Sequence, residues 1–158
     1  MGYELRNHTA DVAVAATGDS LEAVFAAVAD GLAAASCDEI AGSGDRFSLS
    51  VTAESREALL FDYLDELIYL RDIRSELPVD HRVESIEPPS ASDRSDDGDG
   101  AAGDGFDEWQ LEASARGVPL FDIDAREIKA VTYSEMCLER AGTDGDDGSW
   151  EAYVVFDV

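Results

Sequence analysis

Residues 55–68 read Ser55-Arg56-Glu57-Ala58-Leu59-Leu60-Phe61-Asp62-Tyr63-Leu64-Asp65-Glu66-Leu67-Ile68. Leu59, Leu60, Tyr63, Leu64, Leu67 and Ile68 recur at intervals of three and four residues, which is the spacing of one face of an α-helix. Asp62, Asp65 and Glu66 fall among its more polar positions. Ser55 is the kind of residue whose hydroxyl accepts from a free amide where a helix begins. The stretch therefore predicts an amphipathic helix. Just upstream, Phe47, Leu49 and Val51 alternate with polar residues, the period of a half-buried strand. Just downstream, His81–Ile86 reads as another strand, ended by Pro88-Pro89.

Further out, Gly18-Asp19-Ser20 reads as a turn with a helix cap. Leu21, Val24, Phe25, Val28 and Leu32 then predict a first helix running to about Ser36. Tyr3–Leu5 and Val12–Thr17 precede it as short strands. Trp109, Leu111 and Ala113 resume a period of two, and Ile128–Cys137 and Trp150–Phe156 read as the last strands. Strands, helix, strand, helix and further strands predict an α+β fold, a mixed or antiparallel sheet structure with two main helices packed on it. A chain of 158 residues fits one domain, 1–158. Residues 90–105 are Ser, Asp, Gly and Ala almost throughout and read as an acidic loop inserted between two strands. Within it Gly98-Asp99-Gly100-Ala101-Ala102-Gly103 matches a dinucleotide pattern in form only, because the motif needs a strand before it and a helix after it.

The formal charge is −25, from 36 acidic and 11 basic side chains, while 45 % of residues are hydrophobic. That hydrophobic share supplies a core, and the charge repels nucleic acid phosphate. Ten of the cations are arginine and one, Lys129, is lysine. A lysine-poor, acidic surface resembles that of proteins from salt-loving archaea, where molar salt shortens the Debye length to about 3 Å. The charge thus reads as adaptation to surroundings rather than as the mark of a ligand. The beginning of the chain carries no basic and apolar leader pattern and no run long enough to span a bilayer, so a cytoplasmic, membrane-free protein is expected. Cys37 and Cys137 match no zinc or redox spacing and read as two buried thiols.

Three features carry chemistry. His8-Thr9-Ala10-Asp11 sets an imidazole, a hydroxyl and a carboxylate just before a strand, although an Asp there serves more often as a turn residue. Asp157 and Val158 offer a side-chain carboxylate and an α-carboxylate on adjacent residues. With Asp11 they make an all-oxygen set suited to a hard divalent cation; the plainer reading is a terminal Asp facing solvent. Lys129 brings a compact ammonium that the planar arginine fork does not copy. Balancing carboxylates, contacting a partner and chance survival all remain open for it.

Taken together, His8-Thr9-Ala10-Asp11-Val12, the leucine- and acid-rich helix from Leu59 to Leu70, Glu127-Ile128-Lys129-Ala130-Val131-Thr132-Tyr133 and Tyr153-Val154-Val155-Phe156-Asp157-Val158 resemble the archease family, in the family's order and at its length. The resemblance implies an accessory protein, not itself an enzyme, that activates an RtcB-type tRNA-splicing ligase. It would promote the ligase's GTP-dependent guanylylation and repeated turnover. It implies a divalent-metal site at Asp11, Asp157 and Val158, with calcium, magnesium or manganese as the ion. His8 and Lys129 become functional candidates, Lys129 falling on the family's strand lysine. The partner implied is the ligase, with tRNA met only indirectly; the oligomeric state is not implied. Ser134 departs from the family's usual His, and Val12 and Val158 replace Ile. Two other readings stand beside it: a metal-dependent hydrolase acting alone, its carboxylates activating water, and a general RNA-processing chaperone.

Overall fold

The computed structural model describes residues 2–8, 11–37, 44–89, 108–123, 127–140 and 149–157. The acidic loop at 90–105, with its glycine pattern, lies outside them. The elements run β1 (Gly2–His8), β2 (Asp11–Gly18), α1 (Leu21–Ser36), β3 (Arg46–Ala53), α2 (Arg56–Arg74), β4 (Glu76–Glu87), β5 (Trp109–Pro119), a single 3-10 turn (Leu120–Asp122), β6 (Ala130–Arg140) and β7 (Trp150–Asp157). The α+β expectation holds, with two helices and antiparallel pairing between all neighbouring strands. The strands divide into two sheets, β1-β2-β7-β6 and β3-β5-β4. Both helices touch both sheets, α1 chiefly on β2 and β4, α2 chiefly on β3 and β6.

Local chemistry starts each helix where the sequence places it. The Ser20 hydroxyl accepts from the Ala23 amide at 3.0 Å and the Ser55 hydroxyl from the Ala58 amide at 3.1 Å, each satisfying one orphan donor of a first turn. Gly18 is needed at the turn into α1, because a Cβ there would stand 2.5 Å from the Val24 backbone nitrogen. At its far end α2 stops on Ser75, which adopts the left-handed conformation with φ 56°. The apolar stripes then meet between the sheets. Val24, Phe25 and Val28 of α1 and Leu59, Leu60, Tyr63 and Leu64 of α2 are fully buried together with Val14, Leu111, Val154 and Phe156. Phe25 stacks on Tyr63 across the helix pair, ring centroids 6.2 Å apart.

Two differences from the sequence reading have physical causes. β4 extends well before His81, through Pro78 and through Asp80, whose φ is 55°. Its register with β5 slips between Val79 and Arg82 and again between Val83 and Ser85, so simple alternation fails there. Proline is tolerated because β4 is an edge strand, and Asp80 is held by Arg46, its Nη2 2.6 Å from Oδ2. The two cysteines also differ: Cys37 is buried, but Cys137 is only half-buried, its thiol donating to Glu139 Oε2 at 3.3 Å. Among the described residues no helix is long and apolar enough to cross a membrane.

Candidate metal centre

β7 is an inner strand of the four-stranded sheet, flanked by β2 and β6. Its register decides which residues gather at that end of the sheet. Asp157 stands opposite Asp11 on β2 and opposite Ala130 on β6. Asp11 in turn stands opposite His8 on β1. Directly opposed positions in an antiparallel pair are about 5 Å apart between Cα atoms. Segments separated by most of the chain thus place His8, Asp11, Asp157 and the start of β6 side by side at one edge.

Lys129 joins them through the backbone. Its N–H donates to the Asp157 carbonyl at 2.8 Å, which continues the β6–β7 pairing by one residue. Ile128 and Lys129 therefore precede β6 rather than opening it as the sequence suggested. The short approach to the strand is fixed by a buried anchor. The Ile128 side chain is fully buried, and its carbonyl accepts from Arg71 Nη1 at 3.0 Å. With Ile128 held from below and the Lys129 amide held by β7, the Lys129 side chain is left on the exposed surface, as is Asp157.

Arg71 was not singled out from the sequence. Its guanidinium is buried, with the exposed Asp72 carboxylate 3.0 Å from Nη2. The signal was present: positions 60, 64, 67 and 71 form one helical stripe, and Arg71 is its charged member. A buried guanidinium needs acceptors, and the Ile128 carbonyl is one of them. Arg71 thus positions the segment that carries Lys129 into β6.

For His8 and Asp11 the placement is that of the backbone, and Val158 lies outside the described residues. Among the described residues no three His, Cys, Asp or Glu side chains gather as a metal site. What the structure contributes is the adjacency of two aspartate positions on neighbouring strands. Carboxylate oxygens are the donors a hard divalent cation takes, so the residues present suit such an ion.

The whole chain is comparable with known proteins. The family model described as Archease protein family (MTH1598/TM1083) matches residues 3–158. The chain belongs to the archease family. Protein archease of Methanosarcina mazei is 32 % identical over 161 residues, covering 99 % of this chain and 95 % of the relative. Protein archease of Pyrococcus furiosus is 31 % identical over 165 residues, covering 99 % and 98 %. In structure the chain is similar to Methanobacterium thermoautotrophicum protein 1598, with TM-score 0.70, 24 % identity and 99 % of each chain covered. It is also similar to an archease from Thermotoga maritima described as a possible chaperone, with TM-score 0.58, 21 % identity and 97 % and 94 % covered. At these identities the two structures carry the archease fold alone.

Proposed function

We propose that this archease is an accessory protein of an RtcB-type RNA ligase, promoting the ligase's guanylylation and repeated turnover through a divalent cation bound by Asp11, Asp157 and the Val158 α-carboxylate. The observation that carries the reading is the register of β7, which sets Asp157 opposite Asp11 with Lys129 bonded to the same residue's carbonyl. Opposed positions of an antiparallel pair share a face of the pleat, and the register makes Asp11 and Asp157 such a pair of positions. Carboxylates carried by two such positions would share a bound cation, which would offset their mutual repulsion.

Bound there, the cation would supply charge neutralisation for phosphate groups of the nucleotide, the main need of nucleotidyl transfer. The protein's own part is to hold its carboxylates at a rigid sheet edge and present that edge to the ligase. His8, at the outer position of the same row, is a candidate contact to partner or nucleotide. A stimulating partner of this kind needs no nucleophile or substrate cradle of its own.

The test is calorimetric titration of the intact protein with manganese and with calcium. One site is expected for the parent, weakened at least about tenfold by Asp11→Ala or Asp157→Ala, with unchanged thermal unfolding of the metal-free proteins. Adding a glycine after Val158 is expected to weaken it likewise, by removing that α-carboxylate. Equal affinity in all four proteins would reject the assignment of the site.

A further inference from the structure

β6 departs from its pairing with β7 beyond the metal centre. It advances from Thr132 to Cys137 while β7 moves only from Val155 to Tyr153. Extra residues of this kind leave the ladder and re-aim side chains. Tyr133 is the first of them. Its ring lies flat against Phe61 of α2, centroids 4.2 Å apart and planes within 3°, yet Tyr133 remains 55 % exposed. One face of the ring is covered by Phe61, and exposure of that size leaves the other open to solvent.

The helix surface around the stack is acidic. Glu57 stands one turn before Phe61, Asp65 one turn after it and Asp62 beside it, all three exposed. Ion pairs of the described residues go to Asp72, Glu76 and Asp80; none of them involves Glu54, Glu57, Asp62 or Asp65. Burial first, then Asp62, Glu54 and Glu57, raises the Tyr133 phenol above its ordinary range, so these acids lie within electrostatic reach of the ring. Burial and Asp65 raise the Asp62 carboxyl in the same way. The ring is therefore pinned on one face, open on the other and within reach of Glu54, Glu57 and Asp62, which pair with no cation among the described residues.

We propose that Tyr133, stacked on Phe61 and neighboured by Glu54, Glu57 and Asp62, receives an arginine side chain from a partner protein. A guanidinium is planar and weakly hydrated, so it stacks on the open ring face while its N–H groups reach carboxylates on either side. Its charge relieves the repulsion among those acids. An ammonium brings the charge without the plane, and nucleic acid brings the wrong charge. Stacking acts at contact range, so the site keeps part of its affinity in molar salt, where longer-range attraction is screened. This inference rests on the ligase reading for the partner's identity. Tyr133 is three residues beyond Ala130 along one strand, about 10 Å from the Asp157 row, so the arginine would come from the ligase surface beside its active site.

Two measurements separate this proposal from the metal reading. In the first, the full chain in molar KCl is titrated with a short blocked oligo-arginine peptide and with its oligo-lysine counterpart, and tyrosine ring protons are followed by NMR. The Tyr133 signals are expected to respond to arginine at about tenfold lower concentration than to lysine. Tyr69, equally exposed at 55 % on α2, is expected to stay unchanged. Tyr133→Phe is expected to keep the arginine preference and Tyr133→Ala to lose it. Equal response to both peptides, or a response at Tyr69 as large as at Tyr133, overturns the proposal. In the second, Tyr133→Ala is expected to raise the Kd for the ligase about tenfold, with stimulation restored at saturating protein and Tyr133→Phe matching the parent. An unchanged Kd in folded Tyr133→Ala overturns the arginine receptor and leaves the metal reading standing. Tight, Tyr133-dependent binding without stimulation by the parent supports the receptor and refutes the metal reading.

Discussion

Arg71 shows how a single side chain prepares the site from a distance. It is buried on the core stripe of α2 and spends one N–H on the Ile128 carbonyl. Replacing it by leucine fits the apolar surroundings but leaves that carbonyl without its donor, a cost of about 1–3 kcal/mol. Arg71→Leu is thus expected to lower the denaturation midpoint by that amount and to loosen the Lys129 segment, read as faster amide exchange at Lys129. Exchange at Lys129 as slow as in the parent would remove Arg71 from its positioning role. His81 is the second residue whose burial matters. Its Nε2 lies 3.1 Å from the Pro78 carbonyl, while Nδ1 has no partner among the described residues. Burial lowers its pKa from 6.5 to about 4. The unfolded chain therefore takes up a proton there between about pH 6.5 and 4 that the folded chain refuses, so stability is lost as pH falls through that window. One proton sets a slope of at most about 1.4 kcal/mol per pH unit. Asp30, which accepts from the His81 amide, is raised by burial and acts in the opposite sense above its ordinary pKa. His81→Gln is expected to flatten the pH dependence of urea unfolding in that window; an unchanged profile would contradict the buried neutral imidazole.

At the scale of elements, the helices were the most legible part of the sequence. Their apolar stripes and serine caps are local signals, and both helices begin where those signals stand. Ser55→Ala is expected to cost about 1 kcal/mol by freeing the Ala58 amide, with Ser55→Asp restoring most of the loss; thermal melts of the two variants check it. The strands were legible as positions but not as partners. Nothing near Val12–Thr17 or Trp150–Phe156 says that these two runs pair, since the pairing is decided by contacts across nearly the whole chain. The division into two sheets was hidden for the same reason. The start of β4 is hidden in the sequence because Pro78 and the turned backbone at Asp80 break its alternation, and the β6 irregularity that displays Tyr133 leaves no local pattern. Of the site, the motif residues were legible and the row they form was not: Asp11 and Asp157 become neighbours only through the β2–β7 register.

For the molecule as a whole, the fold brings chemistry to one end of a sheet and closes the other with aromatic packing. At that other end Trp150 holds the Arg56 and Arg140 guanidinium carbons 5.1 and 5.0 Å from its ring, and Arg56 also lies 5.7 Å from the Trp109 ring. This clasp ties the start of α2 to both sheets and stiffens the scaffold from which the carboxylate edge projects. The whole chain carries a net charge of −25, which disfavours direct capture of RNA and suits an encounter with a cationic protein surface. In the function proposed above, this edge serves a ligase rather than a reaction of its own. The direct measurement is RNA ligation in molar salt with substoichiometric RtcB-type ligase from the same organism, GTP and manganese, with and without this protein. About one product per ligase is expected without it, many with it, and a return to about one with Asp157→Ala. Equal product in the presence and absence of the folded protein, with the ligase itself active, would contradict the claim.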